Sequence, residues 1–291
     1  MPIPSAFGAR RALDLEEMSV LYARTVRASR AASKLAMAVN VWQTSTTFTT
    51  HVEVQEPDRT SFDMFIEVSK LYPHDQWAME ASDLAHNARS ALDNFNDRIF
   101  KKYATKEYDA KRIQFPITLT GKEWRNWKRS HDALPTWLIE RYRQVQPATG
   151  PYIGLKGLAM LNNQDKHVWL QRVSIAMTEL AGSSTLTIEG IDPDLQLTPT
   201  AREIFLERGK RRLHFATATG NRKILEMPQT ADNNIQPVLH FHVGNEEAGE
   251  EGSFTMDELA EIPRRVTYAI DFVNGDDNAL GRYQSVPSYV T

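Results

Sequence analysis

The sequence predicts an α+β fold, in which a helical bundle with an N-terminal β-hairpin is followed by an antiparallel β-sheet and a C-terminal helix. Apolar residues recur at helical spacing through most of the first half, but they alternate with polar residues in 61–69. Short runs rich in β-branched residues dominate the second half. We therefore predict a helical region over 13–166 and a β-rich region with a closing helix over 167–274, as two domains or one continuous domain, with flexible tails at 1–12 and 275–291.

A long N-terminal helix is predicted by the residues that open it. Asp14 offers an N-cap side chain, and Glu16 and Glu17 suit the positive end of a helix dipole. We expect this helix to continue to about Val39. Thr, Phe and Val residues then favour two strands, joined by the turn Glu56-Pro-Asp-Arg59.

Four further helices are predicted in the first half. The first covers residues 76–103, and a capping box of Thr120 and Glu123 starts the second. Pro135 is well placed as the first residue of the third. The fourth is expected over residues 152–163.

Strands are predicted in the second half at 168–177, 183–189, 202–207, 211–218 and 237–243. The glutamate-rich run 244–252 is predicted to be a solvated loop. A capping box of Thr255 and Glu258 then opens a closing helix to about Val273, and we expect Pro263 to break or kink it.

The composition limits the classes of function. The chain has 291 residues, a net charge of −3 and no cysteine, which excludes disulfides, thiolate zinc sites and cysteine nucleophiles. The near balance of charge gives no general attraction to nucleic acid, and only a local basic patch could supply one. No segment of the sequence is long and apolar enough to span a bilayer, and the N-terminus is not that of a secretory signal, so we predict a cytoplasmic protein without a membrane partner.

No cofactor and no metal are expected from the motifs. The sequence has no Gly-rich phosphate loop, no nucleophile elbow and no His-Glu-x-x-His pair. His240 and His242 share one face of a predicted strand, but no third ligand lies near them in the sequence.

The predicted helix over 76–103 has a polar face that could form a site. At about 100° per residue, one side is apolar and the other is polar. Arg89 and Asp93 are spaced to pair at i,i+4, and His86 lies one turn from Arg89. An amphipathic helix facing water explains this pattern, but a cleft between helices would make His86 a proton-transfer group and Arg89 a phosphate ligand. The apolar side consists of Leu84, Ala88, Ala91, Leu92, Phe95 and Ile99.

A second polar segment ends the fourth predicted helix of this block. Asp165, Lys166 and His167 stand where the helix gives way to a strand, a common location for functional side chains. The same residues are also a normal helix C-terminus, because cations suit the negative end of the dipole. A functional site would require the two polar segments to converge in space.

These segments resemble a recurring pattern in uncharacterised bacterial, actinobacterial and phage proteins. The resemblance spans about residues 60–175 and consists of several motifs in order. It implies a shared fold but no established activity. The matching pieces are His86-Asn87, Arg89-Ser-Ala-Leu-Asp93, Phe115-Pro-Ile117, Gln146-Pro147, Leu161-Asn-Asn163 and Asp165-Lys-His167.

The pattern is also distantly similar to HEPN domains, helical bundles that cleave RNA without a metal through an arginine and a histidine. This chain has Asn94 where that histidine would stand. Under this resemblance, the protein would be a HEPN-like module that binds or cleaves RNA in a phage-related or defence context. The expected catalytic residues are His86, Arg89, Asp93, Asp165 and His167, and the expected binding residues are Asn87, Asn94 and Lys166.

The alternative is a non-catalytic phage or prophage protein with a binding or structural role, whose polar helix face forms pairs that fix the bundle. RNA is the expected partner under the HEPN-like hypothesis, the partner is unknown under the alternative, and a second copy of the chain is a further expected partner. The alternatives differ in one observable property. Loss of Arg89 would remove activity in a ribonuclease and stability in a scaffold.

Overall fold

The computed structural model confirms the α+β class. It describes residues 11–55, 57, 60–109, 113–150, 154–165, 172–176, 188–189, 196–199, 203–206, 209–219, 229–230, 238–243 and 252–279. Within these ranges, helices dominate up to residue 165, antiparallel strands follow, and a helix closes the described chain. The predicted turn at 56–59 and the predicted loop at 244–252 lie largely outside the described residues, and Gly252, the last residue of that loop, begins a strand instead.

The first helix, α1, runs from Leu15 to Ser45. Asp14 is its N-cap and forms a capping box with Glu17, as the sequence predicts. The helix extends beyond Val39, where we expected it to end, because Trp42 in its last turns is also buried in the core. Its ring packs edge-on against Phe48 and Trp77, at 5.7 and 5.5 Å between centroids.

The predicted hairpin forms and is extended by two later strands. β1 (Phe48–Val54) pairs with β2 (Ser61–Val68), and the sheet order is β1-β2-β7-β5. β5 (Gln196–Pro199) was not predicted, whereas β7 (Arg212–Thr219) was. Alternate residues of β2 are buried, which is the period-two pattern read from the sequence.

A second sheet is formed by the strands that follow the helical block. Its order is β10-β9-β3-β6, and every pairing is antiparallel. The last of these strands, β10, was not predicted. The members are β3 (Arg172–Ala176), β6 (Glu203–Leu206), β9 (Leu239–Val243) and β10 (Gly252–Thr255); β4 (Ile188–Glu189) and β8 (Gln229–Thr230) form a separate pair.

The remaining described helices are α2 (His74–Tyr103), α3 (Gly121–Ser130), α4 (Thr136–Gln144), α5 (Lys156–Asp165) and α6 (Met256–Asn274). The capping boxes Thr120–Glu123 and Thr255–Glu258 are both confirmed. Pro135 is the N-cap of α4, so the prediction that it is the first helical residue was wrong by one position.

Pro263 does not break α6, so of the two outcomes expected from the sequence, a break or a kink, the break is wrong. The helix is continuous from Met256 to Asn274, and Pro263 itself is buried. A proline inside a helix removes one backbone hydrogen bond. The apolar side chains that α6 buries on both sides of Pro263 offset that loss, because they hold the two halves against the same core.

One hydrophobic cluster joins the two predicted regions. It includes Leu84 of α2, Val173 of β3, Phe241 of β9 and Val266 of α6. The Trp77 and Phe241 rings are 5.8 Å apart between centroids, which links α2 directly to the second sheet. Helix α1 packs against both α2 and α6, so the helices that bracket the described chain lie side by side.

The two ends of the described chain meet at Asn274. Its side-chain oxygen accepts a 2.6 Å hydrogen bond from the Leu13 N–H, and its backbone carbonyl accepts one of 2.8 Å from Ala12. Ala12 and Leu13 are buried, although residues 1–12 were predicted to be a flexible tail. Residues 275–279 are also packed, since Asp277 pairs with buried Arg141 at 2.8 Å. Residues 1–10 and 280–291 lie outside the described part of the chain.

Candidate functional site

The polar face of α2 divides into an exposed part and a part-buried part. His86 and Asn94 are exposed, and neither makes a hydrogen bond or ion pair with a described residue. Asn87 turns back on its own helix and donates to the Asp83 carbonyl at 2.7 Å. The apolar side read from the sequence is buried throughout. The sequence therefore predicted the orientation of α2 correctly.

Arg89 and Asp93 are the part-buried members of this face. Arg89 Nε donates to Asp93 Oδ2 at 3.0 Å, and its Nη2 lies 2.9 Å from Asp93 Oδ1. The two side chains are 13% and 30% exposed. The predicted i,i+4 pair is confirmed, and it is a two-point ion pair rather than a loose surface contact.

Arg89 and Asp93 hydrogen-bond to both polar groups of the Phe115 backbone. Arg89 Nη2 donates to the Phe115 carbonyl at 2.9 Å, and Asp93 Oδ1 accepts from the Phe115 N–H at 2.9 Å. Both backbone polar groups of one residue are thus satisfied by side chains of α2. We call Arg89, Asp93 and the Phe115 backbone the α2 clamp.

The clamp fixes an extended segment whose side chains enter the core. Phe115 is fully buried and packs on Phe95 and Tyr142, at 6.4 and 5.3 Å between ring centroids. Three residues further on, the Thr118 N–H donates to Gln146 Oε1 at 2.9 Å. This segment belongs to no helix or strand. Side chains from α2 and from Gln146, just after α4, therefore supply hydrogen bonds that a neighbouring strand would otherwise provide.

Three of the motifs that carry the family resemblance meet at this place. The Arg89–Asp93 motif, the Phe115-Pro-Ile117 motif and Gln146 lie in one hydrogen-bonded junction. Sequence reasoning identified the three motifs but did not connect them. The order of these motifs along the chain was the only signal that could have linked them. Their spacing does not predict which residues hydrogen-bond to one another.

The clamp limits the chemistry that Arg89 can perform. Its Nε and Nη2 groups are committed to Asp93 and to a backbone carbonyl, which leaves Nη1 as the group without a described partner. Bidentate binding of a phosphate through two neighbouring nitrogens of the guanidinium would require breaking the clamp, because either edge uses Nε or Nη2. Asp93 is likewise occupied, and it makes no contact with His86.

The second predicted segment falls mostly outside the described residues. Asp165 is the last residue of α5, which packs against α2. Lys166 and His167 are not among the described residues, so convergence of the two segments stays a prediction. Of the five predicted catalytic residues, the structure brings together Arg89 and Asp93, and it places His86 on the same helix but apart from them.

Neither of two clefts in the described part of the molecule is lined by a predicted site residue. One has a volume of about 310 Å³ and lies between the end of α1, Val238 and Leu239, and the start of α6. The other, of about 540 Å³, lies beside Leu13, Asp14 and Lys102. The part-buried face of α2 is therefore filled by the Phe115 segment, not by one of these clefts.

Several other buried or part-buried polar side chains are hydrogen-bonded or stacked within the fold. The Tyr142 hydroxyl donates to Asn96 Oδ1 at 2.7 Å, and complete burial raises the pKa of Tyr142. His131 stacks on Trp127, with 4.5 Å between ring centroids, and burial lowers the pKa of His131, although the Trp127 carbonyl opposes this shift. His242 is buried and bonds to Ser174 at 2.7 Å.

Within the described residues, no group of three or more His, Asp or Glu side chains is arranged to hold a metal ion. None of the described helices combines the length and the apolar character that a bilayer span requires. Comparisons with protein-family profiles, with curated proteins and with solved structures found no match to this chain. The functional argument therefore depends on the geometry of the site.

Proposed function

We propose that this chain is a non-catalytic binding or structural protein, in the phage-related setting that the family resemblance implies and the cytoplasmic location expected from the sequence. The observation that supports this proposal is the α2 clamp. Arg89 and Asp93 are the two predicted catalytic residues that the structure brings together. They hydrogen-bond to each other and to the backbone of Phe115. Their role is to hold the extended segment against α2.

The position of His86 supports the same conclusion. A histidine that acts as a general acid or base is usually oriented by a hydrogen bond to its ring and lies within reach of the reacting group. His86 is exposed and has no hydrogen bond to a described residue. A metal-independent ribonuclease built on His86, Arg89 and Asp93 would need all three to rearrange.

An RNA-cleavage assay without divalent metal tests the proposal. We expect wild-type protein to leave single-stranded RNA intact in EDTA, at enzyme concentrations that detect one turnover per hour. Arg89→Ala should lower the free energy of unfolding, whereas His86→Ala should leave it unchanged because His86 is exposed. Metal-independent cleavage by wild type, lost in Arg89→Ala or His167→Ala with the melting temperature preserved, would overturn the proposal in favour of the ribonuclease.

RNA binding without cleavage is the second candidate, and the exposed face of α1 favours it. Arg24, Arg27 and Arg30 follow one another at single-turn spacing, and none has an ion pair with a described residue. Residues three positions apart differ by about 4.5 Å along a helix axis and by about 60° around it, so half-buried Arg24 and exposed Arg27 and Arg30 follow a spiral on the helix surface. Their guanidinium groups, which have no ion pair with a described residue, could contact phosphates of an RNA strand.

The salt dependence of binding tests this candidate. The triple variant Arg24→Ala, Arg27→Ala and Arg30→Ala should weaken binding of a single-stranded RNA and reduce the slope of log affinity against log salt by roughly 2, since each phosphate contact contributes about 0.7. A matched control removes the same three charges from α3, as Lys122→Ala, Lys128→Ala and Arg129→Ala. Equal losses in both triple variants would show that only net charge matters and would refute α1 as an RNA site.

A further inference from the structure

The junction between the two ends of the described chain contains the sequence's single Asn-Gly pair. Asn274 is followed by Gly275, and none of the chain's other asparagines precedes a glycine. Asparagine is a thermolabile residue, and glycine is the neighbour that hinders its side chain least. The fold requires both residues, since Asn274 binds Leu13 and Gly275 ends α6 in the left-handed region, at a φ of 118°.

We propose that Asn274 is a site of spontaneous deamidation, and that its contact with the N-terminal segment controls the rate. In this reaction the Gly275 nitrogen loses its proton and attacks Asn274 Cγ. The Cγ–Nδ2 bond breaks, and the amide nitrogen leaves as ammonia with the proton that Gly275 lost. Water then opens the resulting five-membered imide at one of its two carbonyls, which gives aspartate or isoaspartate. Water is the only co-reactant.

The folded junction restrains the carbon that is attacked. Asn274 Oδ1 accepts from the Leu13 N–H at 2.6 Å, and Nδ2 donates to the Leu13 carbonyl at 3.4 Å. Asn274 is the last residue of α6 and is only 7% exposed. Closure of a five-membered ring requires both its side chain and its backbone to leave these positions. The two contacts with Leu13 therefore have to break before Asn274 reacts.

The attacking nitrogen is restrained as well. The Gly275 N–H caps α6 and donates to the Phe272 carbonyl at 3.1 Å. The following N–H, that of Asp276, donates to the Asp271 carbonyl at 2.9 Å. Loss of the Gly275 proton and approach to Cγ require this helix end to unwind. Deamidation therefore proceeds from an open state of the junction, and the population of that state sets the rate.

The product is unfavourable at the position that Asn274 occupies. Aspartate would bury a negative charge at the negative end of the α6 dipole, where the last turn of this described helix has no basic residue. Asp271, Asp276 and Asp277 lie within three positions of it, and Arg141 is already paired with Asp277 at 2.8 Å. Isoaspartate would also lengthen the backbone at the helix cap. Deamidation thus converts a reversible opening of the junction into a permanent one.

Peptide mapping by mass spectrometry tests the site in the full-length protein. The protein is incubated at mildly alkaline pH, either folded in buffer or unfolded in guanidinium chloride, and the deamidation of each asparagine is followed. In the unfolded chain, Asn274 should react fastest. In the folded protein it should react roughly tenfold more slowly or slower still. A different asparagine reacting fastest in the unfolded chain, or a smaller difference between the two states, would overturn the proposal.

Two variants open the junction without changing the reacting pair. Leu13→Pro removes the N–H that binds the amide, and Tyr103→Phe removes the hydroxyl that donates to the Ala12 carbonyl at 2.9 Å. Both should accelerate deamidation of the folded protein, by roughly 2- to 10-fold for the milder change, Tyr103→Phe. Tyr108→Phe is the matched control, because the Tyr108 hydroxyl bonds to no described residue of the junction, and it should leave the rate unchanged.

Hydrogen exchange at the Leu13 amide distinguishes opening of the junction from an effect on the chemistry alone. In Tyr103→Phe, this amide should exchange faster by the same factor as deamidation, since both need the same open state. Asn274→Asp supplies the product directly and should also exchange its Leu13 amide faster than wild type. A deamidation rate unchanged in Tyr103→Phe would refute control by the junction, and full protection of Leu13 in Asn274→Asp would refute its permanent opening. None of this depends on the proposed function, because no residue of the α2 clamp lies at the junction.

Discussion

Replacing Arg89 by alanine should destabilise the fold strongly, although Arg89 lies on a helix face that was read as polar. The substitution removes a charge-assisted hydrogen bond to the Phe115 carbonyl and leaves the Asp93 carboxylate without its cation. It also leaves the carbonyl of a buried residue without its donor. Of the two clamp hydrogen bonds to the Phe115 backbone, only the one from the Phe115 N–H to Asp93 would then remain, beside the packing of the Phe115 ring on Phe95.

The expected cost follows from the burial of the pair. A hydrogen bond to a charged group contributes about 1.5–3 kcal/mol. The Arg89–Asp93 pair is intermediate in exposure, so the cost of breaking it is also intermediate. An exposed ion pair contributes at most about 1 kcal/mol, and disrupting a fully buried one costs about 3–5 kcal/mol. Because Asp93 is 30% exposed, water screens part of this loss. We expect Arg89→Ala to lower the free energy of unfolding by about 3 kcal/mol.

Urea denaturation of a double-mutant cycle measures this value. Asp93→Ala should cost a similar amount, and Arg89→Ala with Asp93→Ala should cost about 1–2 kcal/mol less than the sum, because the two residues share one junction. Arg27→Ala is the matched control: Arg27 is exposed, has no described ion pair and should change stability by less than about 0.5 kcal/mol. If Arg89→Ala behaved like Arg27→Ala, the clamp would not be a structural element and this reasoning would fail.

Three further predictions test the packing of the fold. Gly150→Ala should cost about 3 kcal/mol in urea denaturation, since its new Cβ would lie 2.1 Å from a backbone oxygen, whereas Gly121→Ala, whose nearest neighbour is a side-chain nitrogen at 3.7 Å, should be neutral. Asn274→Ala should cost about 1–2 kcal/mol, and the Leu13 amide should exchange its hydrogen faster in the variant. Because burial lowers the pKa of His131, the unfolded chain binds the proton first as the pH falls through about 6.5, so stability should decrease there. His131→Phe should flatten that part of the stability curve, and an unchanged slope would refute the role of His131.

Local chemistry explains what the sequence predicted well. The capping boxes at Thr120 and Thr255 and the N-cap at Asp14 depend on groups within one turn, so their residues alone determine them. The alternating burial of β2 likewise follows from its own composition. These features needed no information about the rest of the chain.

Tertiary contacts explain what it did not predict. β5 and β10 have weak strand signals, and they exist because β7 and β9 offer them edges to pair with. The i,i+4 spacing of Arg89 and Asp93 indicated their ion pair but gave no sign of its target. Phe115 lies 22 residues beyond Asp93, and the contact depends on how the intervening chain folds back. A catalytic interpretation and a structural one therefore looked alike in the sequence.

The junction between Leu13 and Asn274 has a consequence for how the protein is made. Its two residues are separated by 261 positions, and α1 packs on α6, the last helix described. During synthesis, the first helix can dock on α2 long before its second neighbour has left the ribosome. The flank of α1 that α6 covers therefore stays exposed until α6 has been synthesised, and the hydrogen bond between Leu13 and Asn274 forms only after that.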